Sequence, residues 1–157
     1  MRLVKGVAAG LLETSHGRHD EIVVIACRGS RAETLVEPTS SRDDAVRALE
    51  YLATGGRTPL AHGLELAAGY VTDDALAIVI TDGRANVPTR SDDAWADALE
   101  AGTALRCAAL VIDTEDERAP TGRPKRLADA MGAAYTRLDT LDTLDASHVV
   151  TVVRSTS

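Results

Sequence analysis

The sequence predicts an α/β fold with three layers, in which a mostly parallel central sheet carries helices on both faces. Continuous apolar runs rich in β-branched residues, typical of strands buried on both faces, occur at residues 21–27, 75–81 and 106–113. Segments with apolar residues at helical spacing lie between these runs. Residues 1–157 contain no internal repeat, low-complexity tract or domain boundary, so we expect a single domain.

Turn and cap residues set the order of the elements. A second strand at residues 32–37 follows the first after a short turn, which predicts an antiparallel hairpin closed by Pro38. Ser40 or Ser41 is expected to cap a helix that runs through Leu52 and turns Val46 and Leu49 inward. A helix is expected at residues 59–71, with Pro59 in its first turn, and another helix is expected to begin at Ser91. The elements expected after these are a loop at 115–124, a helix at 125–131 and an edge strand at 134–138.

The two ends of the chain are predicted to be helical. Apolar residues from Leu3 to Leu12 recur at helical spacing, although a doubly wound fold normally begins with a strand. Leucine spacing from Leu141 onward predicts a final helix with Leu144 and Val149 facing inward, and with His148 in the same helix.

Composition and charge exclude several classes of function. The net charge of -7 argues against general binding to nucleic acid or anionic lipid, and no apolar run is long enough to span a bilayer. Cys27 and Cys107 lie in apolar runs and are expected to be reduced core residues, which together with the missing leader pattern predicts a cytoplasmic protein. Neither a nucleotide-binding P-loop nor a Gly-x-Ser-x-Gly elbow is present, so no ATPase or serine-hydrolase site is expected, and no residue is assigned as catalytic.

Polar residues that could bind a metal follow two of the predicted elements. Asp82 and Gly83 end the strand at 75–81, and Thr58 ends a loop containing Gly55 and Gly56. Ligands bind at the carboxyl ends of parallel strands, and carboxylate and hydroxyl oxygens are the donors that Mg²⁺ prefers. The structural alternatives are that Asp82-Gly83 is only a turn and that Thr58 is only a helix cap.

Two runs of sequence carry a resemblance to a known family. Residues 54–61 (TGGRTPLA) and 80–87 (ITDGRANV) resemble the C-terminal von Willebrand factor A (VWA) domain of magnesium-chelatase D-type subunits, and cobaltochelatase subunits are similar. Shorter matches extend the resemblance over nearly the whole chain, at Val4-Lys5-Gly6, Arg28-Gly29, Ala32-Glu33 and residues 110–115 (LVIDTE).

The resemblance implies a Rossmann-like VWA fold with a metal-ion-dependent adhesion site. Thr58 and Asp82 correspond to two of its metal ligands, with Gly55, Gly56 and Gly83 shaping the loops. The Asp-x-Ser-x-Ser motif that follows the family's first strand has no match here. We therefore expect an N-terminally incomplete VWA domain with half of a Mg²⁺ site, and a sheet of family order 3-2-1-4-5-6 with a gap where strand 1 would lie.

The functional expectation is a non-catalytic, metal-dependent protein-interaction module of an ATP-dependent magnesium or cobalt chelatase in tetrapyrrole biosynthesis. By resemblance, its partners are an AAA+ ATPase subunit and a large tetrapyrrole-binding subunit. Arg57 and Arg84 are expected on the rim of the metal face, where Arg suits carboxylate recognition, and His62 lies nearby. The alternatives are a stand-alone VWA binding module unrelated to chelatases and a truncated, non-functional fragment.

Overall fold

Strands and helices alternate along the residues that this computed structural model describes, which are 20–52, 56–138 and 149–155. The predicted helix at 3–12 lies outside these ranges, as do Gly55, Leu141, Leu144 and His148. The strands are β1 (Asp20–Ala26), β2 (Glu33–Thr39), β3 (Leu76–Thr81), β4 (Ala108–Asp113), β5 (Ala134–Arg137) and β6 (Val149–Ser155). The helices are α1 (Arg42–Glu50), α2 (Leu60–Ala68), α3 (Ala94–Ala104) and α4 (Arg123–Met131).

The six strands form one sheet in the order β2-β1-β6-β3-β4-β5. The pairs β3–β4 and β4–β5 are parallel, and β2 runs antiparallel to β1, as the hairpin predicted. β6 is antiparallel to both of its neighbours, so β1 and β3 point in the same direction. The described sheet confirms the α/β fold class. Four strands point in one direction and two in the other, so β6 adds a second antiparallel strand to the one that was expected.

β6 corrects two expectations about the chain. Residues 149–155 were expected to continue a final helix, and the sheet was expected to have a gap between β1 and β3. Instead, β6 lies in that position and pairs with β1 from Asp20↔Ser155 to Ala26↔Val149. The physical reason is composition: five of these seven residues are valine or threonine, whose branched side chains favour strands. The leucine spacing that suggested a helix lies upstream of residue 149.

Helices cover both faces of the sheet, as alternation of side chains along β1 requires. Val23 and Ile25 join the larger core, in which they pack with Leu60 and Leu64 of α2. Ile22 and Val24 face the other way, in a smaller cluster with Leu49 of α1. Val152 of β6 is fully buried in the larger core.

Local signals placed the element boundaries to within a few residues, with two corrections. Pro38 lies inside β2 instead of ending it, which is tolerated because β2 is an edge strand and proline needs no ladder donor there. Asp93, not Ser91, caps α3, because its side chain accepts hydrogen bonds from Trp95 N and Ala96 N. Ser41 caps α1, as one of the two predicted alternatives.

We predict that Val152→Asp lowers the free energy of unfolding by about 3–5 kcal/mol or prevents folding, because it places an unpaired charge at a fully buried position. Val36→Asp is the matched control, since it makes the same change at a half-buried position on the edge strand β2 and should cost less. Urea denaturation of both variants measures the difference. Equal stability of Val152→Asp and the wild type would contradict the central position of β6.

Candidate functional site

The candidate site lies at the carboxyl edge of the sheet, where β3 ends at Thr81 and β4 ends at Asp113. Thr81 is fully buried, and its hydroxyl oxygen accepts a hydrogen bond from Gly83 N at 3.0 Å. Gly83 has a φ of +76°, and a Cβ there would approach Arg123 Cβ to 2.6 Å. The turn after β3 therefore requires glycine for both its backbone conformation and its contact with the start of α4.

Asp82 follows Thr81 and already has a cationic partner within its own turn. Its Oδ1 accepts a hydrogen bond from Arg84 N at 2.9 Å, and its Oδ2 lies 3.3 Å from Arg84 Nε. The Asp82 side chain is 19% exposed, whereas that of Arg84 is 77% exposed. The carboxylate is thus partly accessible from solvent and is paired with a largely exposed guanidinium.

Thr58 is brought next to this turn by Asn86. Thr58 N donates to Asn86 Oδ1 at 2.7 Å, and Asn86 N donates to the Thr58 carbonyl oxygen at 3.2 Å. Thr58 itself is only 2% exposed. Two loops that are far apart in sequence therefore meet, as the topology predicted. Asn86 lies within the motif at residues 80–87 but was not predicted to be a site residue. The signal for its role is its amide side chain, which can pair with the peptide backbone.

The other predicted site residues lie around this pair of loops in different ways. Gly56 is exposed with a φ of +99°, a conformation that favours glycine, and Arg57 is also exposed. His62 makes an intramolecular contact: its Nδ1 accepts a hydrogen bond from Ala32 N at 2.9 Å. This bond ties the first turn of α2 to the β1–β2 hairpin, and a partner-binding role for His62 remains a prediction.

A buried carboxylate holds the loop that leads from this edge to α3. Asp97 is 4% exposed, and its oxygens accept hydrogen bonds from Thr89 N, Arg90 N, Ser91 N and the Ser91 hydroxyl at 2.7–3.2 Å. These bonds lower the pKa of Asp97 far below its usual range. The bond from Arg90 N has the largest effect. The loop after Asp82 is therefore anchored by an ionised side chain that sequence reasoning did not single out.

Asp113, at the end of β4, is also buried and fully engaged. Its Oδ2 accepts a hydrogen bond from the Tyr135 hydroxyl at 2.5 Å, and its Oδ1 accepts one from Glu115 N at 2.7 Å. Burial and the bond to Asp113 raise the pKa of Tyr135 to about 12. The Tyr135 hydroxyl therefore stays protonated near neutral pH and joins β5 to the end of β4.

The thiol of Cys27 is also expected to be unreactive, as is typical of a core cysteine. It is buried against Gly63 of α2, where a Cβ would come within 2.2 Å of its Sγ. Burial raises the pKa of Cys27 to about 12, so the thiolate nucleophile is absent at neutral pH.

The donors at this edge suit part of a magnesium site. The Thr58 hydroxyl and the Asp82 carboxylate are hard oxygen donors of the kind that Mg²⁺ prefers. Within the described ranges, however, no group of three or more His, Cys, Asp or Glu side chains is arranged to hold a metal ion. The two side chains fit the ion chemically but fill only part of its octahedral coordination, which leaves water and other groups to complete it.

Comparison with known proteins decides the family. A family model for the von Willebrand factor type A domain matches residues 1–84, which include β1, β2, Thr58 and Asp82. The chain belongs to the von Willebrand factor type A (VWA) family. The solved structure of the conserved hypothetical protein BatB from Bacteroides thetaiotaomicron shares the fold, with a TM-score of 0.61 and 18% sequence identity over 90% of this chain and 78% of that one.

Curated relatives connect this VWA domain to chelatase subunits. It is 34% identical over 159 residues to the magnesium-chelatase 67 kDa subunit of Chlorobaculum parvum, covering 86% of this chain and 25% of that protein. It is 35% identical over 166 residues to an uncharacterized protein of Mycobacterium tuberculosis, covering 98% of this chain and 25% of that protein. The chain thus spans about a quarter of the length of both relatives. Among the described helices, none is long and apolar enough to cross a membrane.

We predict that Asp97→Asn is less stable than the wild type at pH 7, because an amide nitrogen cannot accept the loop's N–H bonds. The pKa of Asp97 is lowered in the folded state, so its contribution is present above the unfolded value of about 3.9 and is lost as the pH falls toward the folded value. The stability difference between the two proteins should therefore narrow below about pH 4.

Urea denaturation at pH 7, 5 and 3 measures this difference. Asp92→Asn, which neutralises an exposed carboxylate in the same loop, is the control and should change stability little. A difference between Asp97→Asn and the wild type that does not depend on pH would show that the charge of Asp97 is not what holds the loop.

Proposed function

We propose that this VWA domain is a divalent-cation-dependent protein-interaction module of an ATP-dependent magnesium or cobalt chelatase subunit, acting in tetrapyrrole biosynthesis in the cytoplasm. The observation that carries the proposal is the similarity to the magnesium-chelatase 67 kDa subunit, which extends over 86% of the chain. The hydrogen bonds between Thr58 and Asn86 support it, because they join the loop of Thr58 to the loop that follows Asp82, and both Thr58 and Asp82 carry side-chain oxygen atoms.

In this proposal the Thr58 hydroxyl and the Asp82 carboxylate hold a Mg²⁺ ion, while Gly56 and Gly83 give the two loops their shape. A bound cation would supply a hard positive centre that accepts a carboxylate oxygen from a partner protein. The chain's own contribution is to join the loop of Thr58 to the loop after Asp82, through the two hydrogen bonds between Thr58 and Asn86. Arg84 would give up Asp82 readily, because an exposed ion pair is worth only about 0–1 kcal/mol.

The partners in this proposal are an AAA+ ATPase subunit and a large subunit that binds the tetrapyrrole, and the inserted Mg²⁺ or Co²⁺ is their substrate. This domain performs no insertion chemistry itself. Arg57 and Arg84 are exposed near the edge, where guanidinium groups suit carboxylates on a partner. The net charge of -7 favours a protein partner over nucleic acid.

We predict that the chain binds Mn²⁺, used as a spectroscopic substitute for Mg²⁺, and that Asp82→Asn abolishes binding by removing the anionic ligand. Asp116→Asn is the matched control, since Asp116 Oδ1 accepts a hydrogen bond from Arg118 N at 2.9 Å, the same local contact that Asp82 makes with Arg84. Calorimetric titration, with bound Mn²⁺ counted by electron paramagnetic resonance, measures the three proteins. Binding that survives in Asp82→Asn, or no binding by the wild type, would contradict the proposed cation site.

A further inference from the structure

One buried polar group at the carboxyl edge is not explained by the contacts described above. The Thr114 hydroxyl oxygen is buried and has no hydrogen-bond partner within the described part of the chain. Buried polar atoms are nearly always hydrogen-bonded, and an exception calls for a ligand, an ion or a water molecule to satisfy it. Thr114 follows directly after β4, so this hydroxyl lies at the edge that carries the candidate site.

The parallel ladder of β3 and β4 ends just before Asp82 and Thr114. Thr81 and Asp113 are the last pair in the register, and the bond from Thr114 N to the Thr81 carbonyl oxygen at 3.0 Å belongs to this pair. Asp82 and Thr114 are therefore the first residues beyond the same end of the ladder.

Alternation along the two strands predicts that the side chains of Asp82 and Thr114 lie on one face. Ile80 and Ile112 belong to the same buried cluster, while Val79 and Val111 belong to the core on the opposite face. Asp82 and Thr114 lie one residue beyond the ends of β3 and β4. Because successive side chains point to opposite faces, we expect Asp82 to follow Ile80, and Thr114 to follow Ile112, onto the same side of the sheet.

We propose that Thr114 is a third oxygen-bearing side chain of the edge site, and that its hydroxyl hydrogen-bonds the hydration shell of a divalent cation held at Thr58 and Asp82. The inference rests on the proposed function, because it requires a cation at this edge. A hydroxyl suits this position because it both donates and accepts, so it can pair with a water molecule in either orientation. Thr114 positions the hydration shell and does not replace a direct ligand, which fits the reluctance of Mg²⁺ to lose its water.

The test uses Mn²⁺ alone as the probe and the full chain in four forms: wild type, Thr114→Val, Thr114→Ser and Thr103→Val. Thr114→Val keeps the shape of the side chain and removes the hydroxyl, whereas Thr114→Ser keeps the hydroxyl. Thr103→Val is the matched control: it removes a hydroxyl that bonds to the Leu99 carbonyl oxygen near the end of α3, which leads into the opposite edge of the sheet.

We expect Thr114→Val to weaken Mn²⁺ binding about tenfold, the loss typical when an outer-sphere partner of a metal is removed. Thr114→Ser should stay within about twofold of the wild type, and Thr103→Val should be unchanged. Without metal, Thr114→Val should unfold in urea at the same concentration as the wild type or a higher one, because it removes a buried hydroxyl that lacks a partner.

The outcomes separate this inference from the proposed function. Wild-type affinity in Thr114→Val, with binding still lost in Asp82→Asn, would overturn the role of Thr114 and leave the cation site standing. Equal losses of affinity in Thr114→Val and Thr114→Ser would also overturn it, because the hydroxyl would then not be the active group. A loss of metal-free stability in Thr114→Val that accounts for its weaker binding would assign the residue a purely structural role. No Mn²⁺ binding by the wild type would remove both proposals.

Discussion

The pairing of β6 with both β1 and β3 is the interaction on which the rest of the domain depends. Without β6 the strands of the sheet would fall into two groups, β2-β1 and β3-β4-β5, with no direct strand pairing between them. The space between β1 and β3 corresponds to two strand separations, about 10 Å, and would leave the backbone groups along both edges unpaired. Val152 adds a buried side chain to the same core that receives α2, so β6 joins the two groups through its side chains as well as its backbone.

The candidate site depends on this closure because its two halves come from different sides of β6. Thr58 belongs to the loop before α2, which packs against β1, while Asp82 and Thr114 follow β3 and β4. The two hydrogen bonds between Thr58 and Asn86 complete the connection at the edge, and the bonds to Asp97 hold the following loop. Most of the polar groups described at this edge form hydrogen bonds within the loops, which leaves few side chains to bind a ligand. Asp82 is a partly exposed carboxylate among them, and its ion pair with the exposed Arg84 is of the kind that a divalent cation can replace.

The sequence predicted those features that are encoded locally. The valine and isoleucine runs gave β1, β3 and β4, and the topology of parallel strands predicted that Thr58 and Asp82 would lie at one edge. Three features depended on distant contacts and could not be derived in this way. The position of β6 depends on which strands have unpaired edges. The role of Asn86 depends on its contact with Thr58, 28 residues away along the chain. The role of Asp97 depends on the three backbone N–H groups that converge on it. The unpartnered hydroxyl of Thr114 likewise becomes visible only when its neighbours are known.

The central claim is that β6 closes the sheet and thereby brings the two halves of the site together. The most direct measurement is nuclear magnetic resonance of the isotope-labelled full chain, recording cross-strand Hα–Hα contacts together with amide hydrogen exchange. The account predicts antiparallel contacts from the residues around Val152 to both Val23 and Ala77, and slow exchange of the β6 amides. Contacts directly between β1 and β3, or β6 amides that exchange as fast as in an unfolded chain, would contradict it.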